Sequence, residues 1–271
     1  MEIRSLRRVT LILSLFLITA TVALTFFSYE DSFAATSRFP ASKPVFAFYY
    51  GWYTPNAWYG GVKGLTSLAV ADVPAIGLYD SQNISVIDTQ ISEALSAGIN
   101  GFIASWWGPG SFTDNTDQIL LNQTASKFQD FSLTLYFETS IIQNSTLSNQ
   151  STQIEKDVTY IMQTYGNNVA FTHINGRPVL FMSGADNWPV SFWSGVTNAI
   201  HAANPTLLVL SDSLNIAYMS AFDGAASYVD LGYMTQNLTL VNGTYPTFTD
   251  ISKLAKSEGK YWFATASPGF N

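Results

Sequence analysis

The chain has 271 residues, of which 47% are hydrophobic, 15% aromatic and only 11% charged, with a formal net charge of −7. That is enough apolar material for a sizeable core, in one large domain or two small ones. The absence of cysteine rules out a disulfide framework, a zinc–thiolate site and a cysteine nucleophile, and an acidic balance with no basic run after residue 8 argues against a nucleic-acid partner.

Arg4, Arg7 and Arg8 precede Val9 to Phe27, an uncharged apolar run. Residues 1–35 therefore read as an export signal or a membrane anchor that places everything downstream outside the cytoplasm. Residues 36–43 read as a linker, and residues 44–271 as the folded domain. Asn-x-Ser/Thr sequons at Asn83, Asn122, Asn144, Asn149, Asn237 and Asn242 fit a glycosylated, exported surface. The sequence specifies no oligomeric state.

Within the domain, apolar runs of strand length alternate with helical patterns. The expected strands are Val45–Tyr50, Asn100–Trp107, Phe131–Glu138, Pro178–Ser183, Leu207–Asp212, Tyr228–Tyr233 and Lys260–Ala266. Helices are expected over about Ser85–Ala97, Thr113–Phe128, Thr152–Tyr165, Ser191–Ala203 and Asp250–Glu258. Thr152 and Glu155 have capping-box spacing, while Gly98, Gly166 and Gly259 act as stops. Seven strand–helix units in series predict an α/β fold, a (β/α)8 TIM-type barrel with about seven units visible. No strand is followed by a glycine fingerprint for nucleotide.

Such barrels carry their sites at the carboxyl ends of the strands. Those ends supply Tyr50, Trp52 and Tyr53, Trp106 and Trp107, Glu138, Ser183, Asp212 and Tyr233. Rigid rings with polar tips, beside carboxyl groups, suit sugars, which present both C–H faces and hydroxyls. Glycoside hydrolysis needs two carboxyl groups, and Glu138 and Asp212 are the candidate catalytic pair. Each also has a structural reading: Glu138 as a carboxylate holding nearby hydroxyls, and Asp212 as a turn or cap residue. Asp80 either binds a sugar hydroxyl or begins an Asx turn. Asp114 and Asp117 read as helix-start charges. His173 reads as a loop residue and His201 as a helix-surface one. They lie in no metal-binding pattern, so neither metal nor cofactor is expected.

Phe48-Tyr-Tyr-Gly-Trp-Tyr53, Gly77-Leu-Tyr-Asp-Ser81, Ala97-Gly-Ile-Asn-Gly-Phe-Ile-Ala-Ser-Trp-Trp-Gly108, Leu135-Tyr-Phe-Glu138 and Asn175-Gly-Arg-Pro-Val-Leu-Phe181 together resemble glycoside hydrolase family 99. These are endo-α-mannosidases and endo-mannanases, with WbsX-like and family 71 relatives. The resemblance implies a (β/α)8 barrel that cleaves α-mannosidic or related links with retention and without a metal, Tyr50 and Trp106 lining the site and Glu138 binding substrate. The family's paired glutamates lie on a Glu-Trp-His-Glu-like segment after the last strand, and no such segment occurs up to Asn271. A piece of a longer hydrolase, a glycan-binding protein without turnover, and an enzyme using Glu138 with Asp212 or Asp80 all stay open.

Overall fold

The computed structural model describes residues 43–59, 73–142, 146–228 and 248–266. The expected signal or anchor segment and Tyr233 lie outside the described residues, as do the sequons at Asn144, Asn237 and Asn242.

Strands β1 (Phe46–Tyr49), β2 (Gly101–Trp106), β3 (Ser132–Phe137), β5 (Arg177–Met182), β6 (Leu208–Asp212), β7 (Gly224–Ala226) and β8 (Tyr261–Phe263) form one sheet in that spatial order. Every neighbouring pair in it is parallel. A two-residue β4 (His173–Ile174) pairs antiparallel with the start of β5 through a turn at Asn175 and Gly176, both at positive φ. Helices α1 (Ile84–Ser96), α2 (Phe112–Lys127), α3 (Leu147–Ile161), α4 (Val190–Ala203) and α5 (Phe248–Ser257) return the chain between strands. The sheet curls far enough to bring the Phe46 ring within 6.1 Å of Phe263 on the opposite edge. This is the (β/α)8 barrel architecture, with seven parallel strands described.

Period-two alternation assigns each strand residue to one of two cores. Ile103, Tyr136, Val179, Phe181, Leu208 and Leu210 point inward and fill the lumen together with Phe48 and Phe263. Their sequence neighbours Phe102, Ala104, Leu135, Leu180 and Val209 point outward against the helices. Because both faces are covered, the strands read as continuous apolar runs instead of alternating ones.

Two expected elements move. The helix assigned to Thr152 starts at Leu147, capped by Thr146, and the Thr152 hydroxyl returns to Ser148 O inside it. The capping-box spacing of Thr152 and Glu155 is coincidental. The strand expected at Tyr228–Tyr233 is instead Gly224-Ala-Ala226. Tyr228 lies in the bend after it, and residues 229–233 are outside the described residues. A side chain at Gly224 would place its Cβ 2.3 Å from Tyr261 O, so only glycine allows β7 to pair there.

Candidate active site

Parallel strands put all their carboxyl ends on one face, and the inward parity then decides which side chains meet there. Reading it upward, Tyr50 follows β1, Ser105 ends the inner face of β2, Tyr136 belongs to β3 with Glu138 just after it, and Asp212 ends β6. Ser105 Oγ donates to Glu138 Oε1 at 2.7 Å, and Trp107 Nε1 donates to Ser105 Oγ at 2.9 Å. Ser183 also hydrogen-bonds the Glu138 carboxylate and accepts from Thr139 N at 3.0 Å. Across the lumen, Tyr136 OH donates to Asp212 Oδ2, and Tyr228 N donates to Asp212 Oδ1 at 2.8 Å.

Burial is the main influence on both carboxyl groups. It pushes Glu138 up, with Asp212 adding to the effect and the Ser105 and Ser183 hydroxyls opposing it. It pushes Asp212 up as well, against hydrogen bonds from Tyr136 and the Tyr228 and Gly184 backbone, while Asp186 adds a further raising charge. Asp186, in the loop after β5, lies near Asp212 and accepts from Ser213 Oγ at 2.8 Å. Raised carboxyl groups in a cleft are the groups suited to proton transfer near neutral pH.

Aromatic rings wall the same space. Trp52 and Trp107 are 39% and 40% exposed, with ring centroids 6.5 Å apart and inclined at 65°. Tyr50 packs against Trp52 at 4.5 Å and Tyr228 at 6.0 Å. The Tyr50 hydroxyl is buried and has no hydrogen bond of good geometry. Its proton is held tightly, first by burial and then by Tyr228, Glu138 and Asp212.

Trp106 is a correction. It is fully buried, faces the helices, donates Nε1 to Asp114 Oδ1 at 2.7 Å and packs edge-on against Phe137. One residue of parity separates it from Trp107, and the sequence has aromatics in both positions. Tyr53 stacks on Trp58 with ring centroids 4.2 Å apart, meets Trp52 edge-on at 6.4 Å, and donates its backbone N–H to Ser81 Oγ. Asp80 Oδ1 accepts from Gln82 N at 2.8 Å, which makes it the start of an Asx turn.

Asp114 is more than a helix-start charge. It is buried and accepts from Trp106, Tyr160, Tyr165 and Gly110 N, tying α2, α3 and β2 together. Burial pushes its carboxyl up, but these hydrogen bonds outweigh that and hold it below the usual range. His201 is likewise not a plain surface residue, since its Nε2 lies 2.9 Å from Asp223 Oδ2 at the opposite end of the barrel. Tyr136, Ser105, Asp186 and Tyr228 join the site without having been singled out. Tyr136 could have been found from parity, being two residues before Glu138 in a strand.

The model of glycosyl hydrolase family 99 matches residues 63–270. The chain belongs to that family. This family 99 chain is 23% identical over 215 residues to a glycoprotein endo-alpha-1,2-mannosidase of Mus musculus. The match takes in 73% of the chain and 44% of the mouse protein, so the chain spans less than half the length of that relative. Among solved structures it is similar to the family 99 endo-α-mannosidase from Bacteroides thetaiotaomicron, with 18% identity, a TM-score of 0.65, and 83% of this chain and 71% of that one covered. A glycoside hydrolase-like protein is similar at 17% identity and a TM-score of 0.59, with 85% and 73% covered. At these identities the structural likeness shows the fold alone, a (β/α)8 barrel.

Proposed function

We propose that this barrel engages α-mannosidic or related glycans and takes part in their hydrolysis with retention and without a metal, Glu138 and Asp212 being the carboxyl groups nearest the reacting bond. The supporting observation is the convergence of those two carboxyl groups with Tyr50, Trp52 and Trp107 on the carboxyl-end face of the sheet. Trp52 and Trp107 stack on sugar faces, Glu138 and Asp212 take hydroxyl hydrogen bonds, and the raised Glu138 moves a proton at the glycosidic oxygen. A second reading, glycan binding without turnover, draws on Asp212 being held by Tyr136 and the Tyr228 backbone, as a structural carboxylate would be. The mannosidase names of the similar proteins support the choice of sugar.

The protein acts outside the cytoplasm, tethered or exported by residues 1–35. No helix among the described residues is long and apolar enough to cross a membrane. The described sequon asparagines, Asn83, Asn122 and Asn149, are all exposed and so open to a glycan. Asn83 stands at the head of α1, its Oδ1 accepting from the Ser85 N–H and hydroxyl, and Asn122 and Asn149 lie within α2 and α3.

The test incubates the full chain with α-mannan and α-manno-oligosaccharides while following reducing ends and binding heat. Product release that Glu138→Gln lowers by about 10²-fold or more supports catalysis by Glu138. Binding heat without product favours the second reading, and neither signal from a folded sample overturns both.

A further inference from the structure

Charge is divided unevenly between the two ends of this barrel. Strands run towards the site face and helices run back, so strand starts and helix ends share the opposite face. Among the described residues, every Lys and Arg lies towards that opposite face. Arg177 opens β5, Lys43 and Lys260 precede β1 and β8, Lys127 and Lys256 sit in the last turns of α2 and α5, and Lys156 and Lys253 lie past the middle of α3 and α5. Two acids there have ion-pair partners, Asp223 with His201 and Arg177 and Glu258 with Lys260, and Lys127 reaches Asp88 of α1, while Glu93 and Asp130 also lie towards that face.

The site face carries Glu138, Asp186 and Asp212 with no described base near them. Of the two longer segments within the domain outside the described residues, 229–247 contains no Lys, Arg or His in its sequence, and 60–72 contains Lys63 alone. Helix dipoles explain part of the division, because Asp114 and Asp250 start helices while Lys127 and Lys256 end them. They do not explain Glu138 and Asp212, which belong to strand ends.

The positive helix starts on the site face are also partly used up. Asn83, Ser111 and Thr146 side chains cap α1, α2 and α3. The backbone N–H groups of Gly184 and Tyr228 bind Asp212. This is the reverse of a phosphate-binding barrel, where free N–H groups and a basic side chain receive the anion.

We propose that the site face is a charge filter: it accepts glycans that are uncharged or carry a protonated amine, and turns away those bearing phosphate, sulfate or carboxylate close to the engaged residue. The inference rests on the glycan reading above and adds the class of sugar that can enter. The negative charge these carboxyl groups carry when ionised acts on both the approach and the bound state of a charged ligand, and salt weakens it.

Three probes test it on the full chain by calorimetry: a neutral α-manno-oligosaccharide, the same molecule carrying a 6-phosphate, and its 6-amino-6-deoxy counterpart. The expected result is phosphate binding about tenfold weaker than neutral binding at low ionic strength, with the gap closing in about 0.5 M salt, and amine binding at least as tight as neutral. Asp186→Asn narrows the gap between the phosphorylated and neutral probes. Phosphate binding equal to or tighter than neutral binding overturns the filter alone, and so does a gap that salt does not change. Failure of all three probes to bind overturns the glycan reading itself.

Discussion

Tyr136 on β3 hands its phenolic hydrogen to the Asp212 carboxylate on β6, bridging the lumen past the intervening strand β5. Tyr136 is buried, and burial is the main reason its own proton is held so firmly, with the Asp212 charge next. The bond keeps Asp212 lower than burial alone would place it. Tyr136→Phe removes a donor to the anion, so the Asp212 pKa rises further and its ionisation is completed at higher pH. Carboxyl NMR titration of the two proteins reads this directly. A stability loss of about 1–3 kcal/mol accompanies it, and an unchanged titration would sink the assignment.

Trp106 and Trp107 separate stability from binding. Trp106→Ala empties a fully buried site and removes a donor from Asp114, at a cost of about 3–5 kcal/mol. Trp107→Ala, at a site 40% exposed, changes stability by about 1 kcal/mol or less but weakens glycan binding about tenfold. Denaturant unfolding and calorimetry on the two variants check the pair.

Asp117 is fully buried and neither of its carboxyl oxygens has a hydrogen-bond partner. Burial, and then the nearby Asp114 charge, push its pKa well above the usual carboxyl range. Its folded pKa is raised, so the stability it allows is fully present below the unfolded value near 3.9 and is lost as pH rises through the folded pKa. Asp117→Asn is therefore expected to melt higher than the parent chain at pH 7 and close to it at about pH 4. Melting curves at the two pH values decide it, and a variant less stable at neutral pH would contradict the argument.

Asp223 shows the opposite sign. Burial pushes it up, but hydrogen bonds from His201 and Val209 N, with the His201 and Arg177 charges, outweigh that and hold it below the usual range. Its contribution is present above the unfolded carboxyl pKa and fades as pH falls through the folded one. Asp223→Asn should cost about 1–3 kcal/mol at neutral pH, with the difference shrinking in acid. Unfolding midpoints across the acid range measure this.

The barrel was legible where the chemistry of a strand is written in bulky residues, as in β2, β3, β5 and β6. It was illegible at β7, because Gly-Ala-Ala has neither β-branched residues nor a pattern, and its pairing depends on what a side chain at Gly224 would strike. Glu138 and Asp212 could be reached from sequence because they end strands. The difference between Trp106 and Trp107, both expected among the binding residues, could not, since β2 is buried on both faces and the sequence does not mark which of two adjacent tryptophans turns to the lumen. Asp114 and Asp117 look alike in sequence as helix-start acids. The fold makes one carboxylate a hub with five donors and leaves the other with none.

The aromatic fill of the lumen has a further consequence. Among the described residues, Phe48, Tyr136, Phe181 and Phe263 pack the lumen between the strands that carry the carboxyl groups, so the site rests on a floor of rings and not on a channel. On the glycan reading, a long chain lies across that floor and is not threaded through it. It then comes and goes past the exposed rings of Trp52 and Trp107.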